Sequence, residues 1–315
     1  MTFFGMAYPW LLLANLVFVI GWLFRKDRYL LFSLGCILLG WNHLTGFVGC
    51  HIPKAFDTQK SISILTYNIQ SGLEYKKIKQ LKQAQQGPLY QVLRKDSPNS
   101  LLCFQEIKSQ YLQELSEELE YPHSHTISGA STAILSPLAF LDKGGKRFEK
   151  SANSYMWVDV NIAQQRIRLF NVHLQSNKVS VVTDKVLQQG DLQEKETWRD
   201  IKTVIRKIKD ATQARSRQAE YLAKEIAASP YPVIVCGDFN DTPQSFSYHL
   251  LSQGLKDTFR EKGQGFGTTY AGGIPALRID YILVDPRFKV LDNQIPKVPF
   301  SDHYPIISHL SLDKK

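Results

Sequence analysis

The first fifty residues of the chain contain four charged side chains, and these are consecutive, from Arg25 to Arg28. Residues 3–24 before them and residues 29–50 after them are each an uncharged run of 22 residues. At a rise of 1.5 Å per residue, a helix of that length crosses a hydrocarbon core of about 30 Å. We therefore predict a transmembrane hairpin over residues 1–52, with helices at about 3–24 and 29–50.

The basic residues around this hairpin favour one topology. A cleaved signal peptide would carry positive charge ahead of its apolar run, and no charge precedes Arg25. Three basic residues lie in the turn, against Lys54 and Lys60 after the second run, and basic residues tend to stay in the cytoplasm. We expect an integral protein of the cell membrane that contacts the lipid bilayer through residues 3–50, with its large C-terminal part extracytoplasmic. If only the first run crosses, that part faces the cytoplasm instead.

The remaining part, residues 53–315, has the composition of one folded domain with a basic surface. Beyond residue 50 the chain has 35 Lys and Arg against 28 Asp and Glu, a net charge of +7. Such a charge favours phosphate-bearing or anionic partners, and it is equally compatible with a role in solubility alone. The 4 cysteines of the whole chain argue against a disulfide-stapled scaffold and against a cysteine-rich zinc module.

Short apolar runs broken by turn residues predict strands, and longer amphipathic stretches predict helices. The predicted strands are Ile62–Tyr67, Leu101–Phe104, Ala133–Ser136, Tyr155–Val160, Arg166–Val172, Val233–Cys236 and Ile279–Val284. The predicted helices are Lys76–Arg94, Ser109–Leu119 and a long one from about Leu192 to Ala228. Because strands and helices do not alternate regularly, this order favours sheets in the middle of the domain with helices outside.

Polar residues at the ends of these strands are candidates for chemistry, because a rigid sheet can hold side chains there within reach of loops. Asn68 ends the first strand, where a simple turn residue is also expected. Glu106 follows a buried strand and is either a metal ligand or a carboxylate that stabilises the next helix. His173 ends another strand and could donate a proton or bind a phosphate oxygen, or it could be a structural histidine.

Two segments carry a sharper signal. In Gly237-Asp238-Phe239-Asn240 an apolar strand ends at a glycine, and a carboxylate and an amide then project together. Such a pair can bind a water nucleophile and steady a scissile phosphate, whereas an Asx turn explains one of the two residues better than both. Asp280 lies inside a strand pattern, where an unpaired carboxylate is costly, and His303 is the partner that we expect for it.

The ordered set of these residues resembles the endonuclease/exonuclease/phosphatase superfamily over about residues 61–312. The set consists of Asn68, Glu106, His173, Gly237-Asp238-Phe239-Asn240, Asp280 and Ser301-Asp302-His303. The resemblance implies an α+β fold, a four-layer α/β/β/α sandwich in which two sheets face each other and helices lie outside. In this chain we expect that sandwich to follow the two N-terminal transmembrane helices. The resemblance also implies metal-dependent hydrolysis of phosphoesters.

A metal site is implied by the same resemblance. Glu106 resembles the principal metal ligand of the family, Asn68 lies beside it to orient the metal or the phosphate, and Asp302 corresponds to a second ligand. An oxygen-rich set of this kind suits Mg²⁺ or Mn²⁺ better than zinc, which prefers more histidine and cysteine ligands.

The catalytic groups are implied in the same way. Asp238 resembles the residue that activates the attacking water, and Asn240 resembles the residue that holds a phosphate oxygen. His303, oriented by Asp280, corresponds to the acid/base or phosphate-binding histidine of the family. His173 matches a histidine that some branches use where abasic-site enzymes have tyrosine. It therefore favours the deoxyribonuclease-like or sphingomyelinase-like branches, or an uncharacterised bacterial branch, over abasic-site repair.

The function that these residues predict is phosphodiesterase or nuclease activity by in-line attack of water. The basic domain favours nucleic acid as substrate. The membrane tether favours the alternative, a phospholipid headgroup phosphodiesterase or a phosphomonoesterase, because tethering raises the local concentration at the bilayer. A non-catalytic, membrane-tethered binding protein is a third hypothesis, which metal-independent ligand binding without turnover would identify.

Four further residues are candidates for substrate binding. Tyr270 lies in the glycine-rich segment 263–273, and Arg278 follows it. Lys202 and Arg206 lie in the insertion-like segment 177–228, which could follow a phosphate backbone or a membrane surface. An amphipathic helix with its charged side in water explains that segment equally well.

Overall fold

The computed structural model describes residues 2–70, 88–94, 97–149, 151–177, 195–272 and 276–312. Two six-stranded sheets form the centre of the molecule. The first sheet has, in spatial order, β13 (Phe288–Gln294), β14 (Ile306–Leu312), β2 (Ile62–Asn68), β3 (Asn99–Gln105), β5 (Ala133–Ser136) and β4 (His123–Thr126). The second has β10 (Lys256–Asp257), β12 (Asp280–Val284), β9 (Val233–Asp238), β8 (Gln165–His173), β7 (Ser154–Ile162) and β6 (Asp142–Arg147).

Helices cover the outer face of each sheet. The helices of the described chain, including those of the N-terminal segment, are α1 (Thr2–Arg25), α2 (Leu30–Leu39), α3 (Trp41–Leu44), α4 (Pro88–Leu93), α5 (Ser109–Glu118), α6 (Lys195–Ala227), α7 (Phe246–Leu251) and α8 (Thr258–Lys262). Side chains of α4 and α5 pack on the first sheet, and side chains of α6 and α7 pack on the second. Residues of both sheets, such as Ile64 and Ile234, share the core between them. This arrangement confirms the predicted four-layer α/β/β/α sandwich.

All seven predicted strands are present, and five of them are one to three residues longer than their apolar runs. Within the described residues, the helix expected at 76–94 is seen as α4, and the rest of that prediction lies outside them. The long helix expected from Leu192 to Ala228 is observed as α6, with residues 192–194 outside the described part. Apolar periodicity predicted these elements because each buries one face against a sheet.

Two parallel strand pairs determine where the polar residues meet. β2 runs parallel to β3, with Asn68 opposite Gln105, and β8 runs parallel to β9, with His173 opposite Asp238. Asn68 at the end of β2 hydrogen-bonds Asp238 at the end of β9, so the carboxyl ends of all four strands lie at one end of the sandwich. The antiparallel strand β12 begins at this end, with Asp280 opposite Asp238.

The N-terminal segment differs from the predicted pair of long helices. α1 includes the one helix, Ala7–Arg25, that is long and apolar enough to cross a membrane within the described residues, and α2 is a shorter apolar helix. The second predicted helix, 29–50, is interrupted at Gly40, and its helical part ends at Leu44. Its last residues instead form β1 (Val48–Cys50), which pairs with β11 (Gln264–Phe266). Backbone pairing with the C-terminal part replaces the helical hydrogen bonds that apolar composition alone would favour, and it crosses the predicted boundary at residue 52.

Candidate active site

The site lies where the carboxyl ends of strands from the two sheets meet, and it is centred on the carboxylate of Asp238. Its Oδ2 accepts hydrogen bonds from Asn68 Nδ2 at 3.0 Å and from Asn240 Nδ2 at 2.9 Å. The ring Nε2 atoms of His173 and His303 lie 3.8 and 3.9 Å from the same oxygen. Four residues that are distant in sequence thus converge on one oxygen atom.

Unusual backbone conformations set the direction of the side chains around this carboxylate. Gly237, just before it, has φ +134°, and a Cβ at this position would overlap the carbonyl oxygen of Val172 on the neighbouring strand. Glu106 and Asn240 have φ of 57° and 53°, in the left-handed region that residues other than glycine seldom occupy. Such conformations persist where surrounding structure enforces them, and they are concentrated at functional sites.

Burial makes Asp238 an unusually weak acid for a carboxyl group. The side chain is 1% exposed, and burial together with the charge of Asp280 raises the pKa of Asp238 to about 6. The nearby histidines and the Asn68 hydrogen bond lower this pKa but do not outweigh burial. A carboxylate with a pKa near neutral pH is suited to accept a proton from water.

His303 is held in a buried ion pair with Asp280. Its Nδ1 lies 2.9 Å from Asp280 Oδ2, and its ring packs edge-to-face on Tyr270 with centroids 5.3 Å apart. Burial alone would lower the pKa of His303, but the charges of Asp280 and Asp238 outweigh it and raise the pKa to about 10. The ring is therefore an imidazolium at neutral pH, with Nε2–H as a donor on the side of Asp238.

His173 is a second buried imidazole, with the opposite protonation. Burial lowers the pKa of His173, so the ring is neutral at neutral pH. Neither ring nitrogen has a hydrogen-bond partner among the described residues. Its Nε2 lies 3.7 Å from Glu106 Oε1. Since buried polar atoms are normally paired, this orphaned imidazole marks a position where a ligand, a metal or water completes the site.

The acidic side chains of the site fit a divalent cation. Burial raises the pKa of Asp302, and the charge of Glu106 raises it further, so these carboxylates repel each other. Asp238, Asp280 and His303 form a second group of possible ligands. One ligand atom of each lies within 4.8 Å of the other two, which is close enough to hold a metal ion. Uncompensated carboxylate oxygens are the donors that Mg²⁺ and Mn²⁺ prefer.

Two predicted roles change in detail. Asn68 Oδ1, the amide atom that could bind a metal, accepts a hydrogen bond from the backbone N–H of Gln70 at 3.0 Å, while its Nδ2 holds Asp238. Asn240 donates its side-chain amide to Leu174 O at 3.0 Å and to Asp238, which leaves the acceptor Oδ1. An acceptor fits a water proton, whereas the predicted contact with a phosphate oxygen would require a donor.

The predicted substrate-binding residues are divided by the structure. Tyr270 lies in the site against His303. Arg278 does not face the site, because it is 1% exposed, forms an ion pair with Asp257 and donates to Gly46 O at 2.6 Å. Its predicted role in substrate binding is therefore wrong, since a buried guanidinium held by Asp257 and Gly46 cannot reach a substrate. Lys202 and Arg206 lie on α6 with exposed side chains.

Three residues have supporting roles that were not predicted from the sequence, although Ser301 belongs to the motif Ser301-Asp302-His303. Thr269 Oγ1 accepts from the backbone N–H groups of Ile279 and Asp280 at 3.0 and 3.1 Å. Ser301 Oγ donates to Asn68 O at 2.8 Å and so links two site segments. Arg215, 0% exposed, contacts Asp241 just after Asn240. No local pattern distinguishes such residues from ordinary turn and surface residues.

Comparison with known proteins gives family matches for both parts of the chain. The profile of the Endonuclease/Exonuclease/phosphatase family matches residues 65–303. A profile described as a domain of unknown function matches residues 1–47. No curated protein matches the sequence.

Solved structures share the fold at low sequence identity. An endonuclease/exonuclease/phosphatase family protein from Bacteroides thetaiotaomicron has a TM-score of 0.56 at 17% identity, covering 81% of this chain and 98% of its own. The D. rerio TDP2 complex with a single strand DNA product has a TM-score of 0.55 at 18% identity, covering 80% and 99%. The human Nocturnin catalytic domain with a bound sulfate anion has a TM-score of 0.55 at 15% identity, covering 82% and 97%.

Proposed function

The chain belongs to the endonuclease/exonuclease/phosphatase family, and from this membership and the site geometry we propose that it is a metal-dependent phosphodiesterase acting by direct attack of water. One observation carries the proposal. Asp238 Oδ2 is held by two amide donors and lies 3.9 Å from Nε2 of the His303 imidazolium. A base, Asp238, and an acid, His303, thus lie side by side, and the base is at the end of a central strand, where the sheet can hold a side chain in place.

These residues divide the proton transfers of hydrolysis between them. Asp238 accepts a proton from the water whose oxygen forms the new bond to phosphorus, and Asn240 Oδ1 accepts the other hydrogen of that water. As the bond to the leaving oxygen breaks, the His303 imidazolium donates its Nε2 proton to that oxygen. Asp280 keeps the ring charged and oriented until that step, in the manner of other carboxylate–imidazole pairs.

Glu106 and Asp302 would hold the divalent ion, Mg²⁺ or Mn²⁺, with Asn68 at its edge. The bound ion would neutralise charge on the phosphate. If this assignment is right, Mg²⁺ should raise the thermal unfolding temperature of the full chain, because it relieves the repulsion between the two carboxylates. Glu106→Gln should greatly reduce that rise, whereas Glu114→Gln, on the surface of α5, should not. An equal rise in both variants would contradict the assignment.

Nucleic acid is the substrate that we favour. The part of the chain beyond residue 50 has a net charge of +7, and exposed Lys202 and Arg206 on α6 add to a basic surface that attracts phosphate backbones. The similar D. rerio TDP2 fold was solved with a single strand DNA product, which supports the same class of substrate for this chain.

A phospholipid headgroup is the second candidate, and one observation favours it. Gly5 of α1 packs so closely on Thr242 that a Cβ at position 5 would overlap the threonine hydroxyl. Thr242 lies two residues after Asn240, so the apolar N-terminal helix begins beside the catalytic loop. Gly46, which follows α3, lies against Pro243, so the chain returns to the side from which α1 begins although α2 is short. We propose that α1 and α2 lie in the cell membrane as a hairpin with the catalytic domain extracytoplasmic. Protease protection of a tag at the C-terminus in sealed cells would contradict that topology.

The experiment that tests the proposal uses the full chain in detergent micelles. We expect Mg²⁺-dependent nicking of supercoiled plasmid, lost with a chelator and in Asp238→Asn and His303→Ala. Asp210→Asn, an exposed carboxylate on α6, is the matched control and should keep wild-type activity. Retained turnover in either site variant would contradict the mechanism. Release of headgroups from phospholipid vesicles without plasmid nicking would replace nucleic acid with lipid as the substrate.

A further inference from the structure

The N-terminal segment, defined here as residues 2–51, contacts the two loops that carry catalytic groups. We propose that this segment is a positioning element of the active site, in addition to any role as a membrane anchor. The proposal rests on the hydrolase function proposed above for the readout of activity, and its structural part can be tested without activity.

The first contact is with the loop that follows Asn240. Gly5 packs directly on the Thr242 hydroxyl, and a Cβ at Gly46 would lie 3.0 Å from Cβ of Pro243. Thr242 is 1% exposed, so the N-terminal segment closes this loop from outside. A side chain at position 5 would require the Thr242 side chain to move, and a side chain at position 46 would press on the Pro243 ring.

The second contact is with the segment that precedes Asp280. Strand β1 pairs with β11, and the backbone N–H of Gly267 donates to Phe47 O at 2.8 Å. Arg278 Nη1 donates to Gly46 O at 2.6 Å. Phe47 itself is 5% exposed, so this part of the N-terminal segment is packed as a domain core is packed.

Gly267, which the N-terminal segment holds, lies two residues before Thr269, and Thr269 contacts both sides of the His303–Asp280 pair. Thr269 Oγ1 accepts from the backbone N–H of Asp280 at 3.1 Å. Thr269 O accepts from the backbone N–H of Tyr304 at 2.6 Å, next to His303. One residue therefore supports the backbone on both sides of the ion pair, and the N-terminal segment holds the strand that leads into it.

This arrangement predicts a specific kinetic effect of detaching the segment. A displacement of the catalytic groups by about 1 Å can reduce the rate about 100-fold, whereas the surface that binds the substrate remains in place. A loss of positioning therefore lowers kcat and leaves KM almost unchanged. Loss of a simple tether would leave both constants unchanged for a soluble substrate.

Glycine variants test the proposal in the full chain in detergent micelles, with bis(p-nitrophenyl) phosphate as a soluble substrate. Gly5→Leu would overlap Thr242, and Gly49→Val would overlap the carbonyl of Gly263 and separate β1 from β11. Gly21→Leu and Gly35→Val are matched controls, because a Cβ at either position meets no atom within 4 Å. We expect kcat to fall about tenfold or more in the first two variants with KM within about twofold, and the controls to match wild type.

Hydrogen exchange provides a readout that does not depend on activity. In Gly49→Val the backbone amides of Gly267, Asp280 and Tyr304 should exchange faster than in wild type and in Gly35→Val. Faster exchange together with an unchanged kcat would overturn the positioning role, and unchanged exchange at these amides would overturn the bracing contact itself. If wild type hydrolyses no phosphodiester, the proposed function fails, and the exchange rates alone then decide whether the segment braces the site.

Discussion

Removal of one partner from the buried ion pair between Arg215 and Asp241 should be among the most destabilising single substitutions in the C-terminal domain. Arg215 Nε donates to Asp241 Oδ2 at 3.1 Å, and both side chains are almost completely buried. The same guanidinium donates through Nη1 to Gln175 O at 2.9 Å and to Asn177 Oδ1 at 2.7 Å. It therefore joins the segments that follow His173 and Asn240.

Arg215→Met removes the cation and leaves the carboxylate of Asp241 buried without a partner. Breaking a buried ion pair in this way costs about 3–5 kcal/mol of the free energy of unfolding. Replacing the carboxylate as well, in Arg215→Met with Asp241→Asn, removes the uncompensated charge. The double variant should then still lose about 2 kcal/mol of the free energy of unfolding. This loss comes from the hydrogen bonds of Arg215 to Gln175 O and Asn177 Oδ1, worth about 1 kcal/mol each. Adding Asp241→Asn to Arg215→Met should therefore restore about 1–3 kcal/mol of the free energy of unfolding, which is the difference between the single and the double variant.

The loss in Arg215→Met should also depend on pH. Burial raises the pKa of Asp241 even beside Arg215, and removal of the cation raises that pKa further. An acid whose pKa is raised in the folded state binds its proton more tightly there, so its contribution is favourable below the unfolded pKa and is lost as pH rises. Arg215→Met should therefore be less destabilised at pH 5 than at pH 8.

Urea unfolding of the full chain in micelles, followed by circular dichroism, measures these differences. Arg217→Met is the matched control, because Arg217 is exposed on the same helix and should change the free energy of unfolding by less than about 0.5 kcal/mol. If Arg215→Met loses less than about 1 kcal/mol, or if the double variant is no more stable than the single one, the reasoning from burial is refuted.

Two further predictions concern activity. Asp280→Asn removes the main charge that raises the pKa of His303 to about 10. The pH at which kcat falls on the alkaline side should therefore decrease by about two pH units or more. An unchanged pH profile of kcat would exclude His303 as the acid. Neutral variants of Lys202 and Arg206 should weaken plasmid binding and reduce its dependence on salt, and an unchanged salt dependence would favour a purely solvent-facing role for α6.

Local patterns in the sequence were sufficient to predict most of the framework. Apolar runs of four to seven residues located the seven central strands, because strands buried on both faces have little choice of composition. The polar residues that end these strands could be chosen as candidate site residues because they stand out against the apolar composition. A carboxylate such as Asp280 inside an apolar run is costly unless it has a function or a partner.

Other features could not be predicted because they depend on contacts between distant residues. The strand Val48–Cys50 lies in an apolar run that favours a helix, and pairing with residues 264–266 more than 200 positions away makes it a strand. Arg278 was predicted to bind substrate because its buried partner, Asp257, is distant in the sequence and the ion pair could not be recognised.

The sequence by itself therefore determined which residues can do chemistry and which strands bring them to an edge. Residue type and period are local properties, and they specify burial and the face of a strand on which a side chain lies. Only the tertiary structure decided which of these groups are charged and what holds them. The imidazolium of His303, the neutral ring of His173 and the weakly acidic Asp238 each follow from burial and from the distances between side chains of different strands. Those distances exist only when the two sheets are packed together.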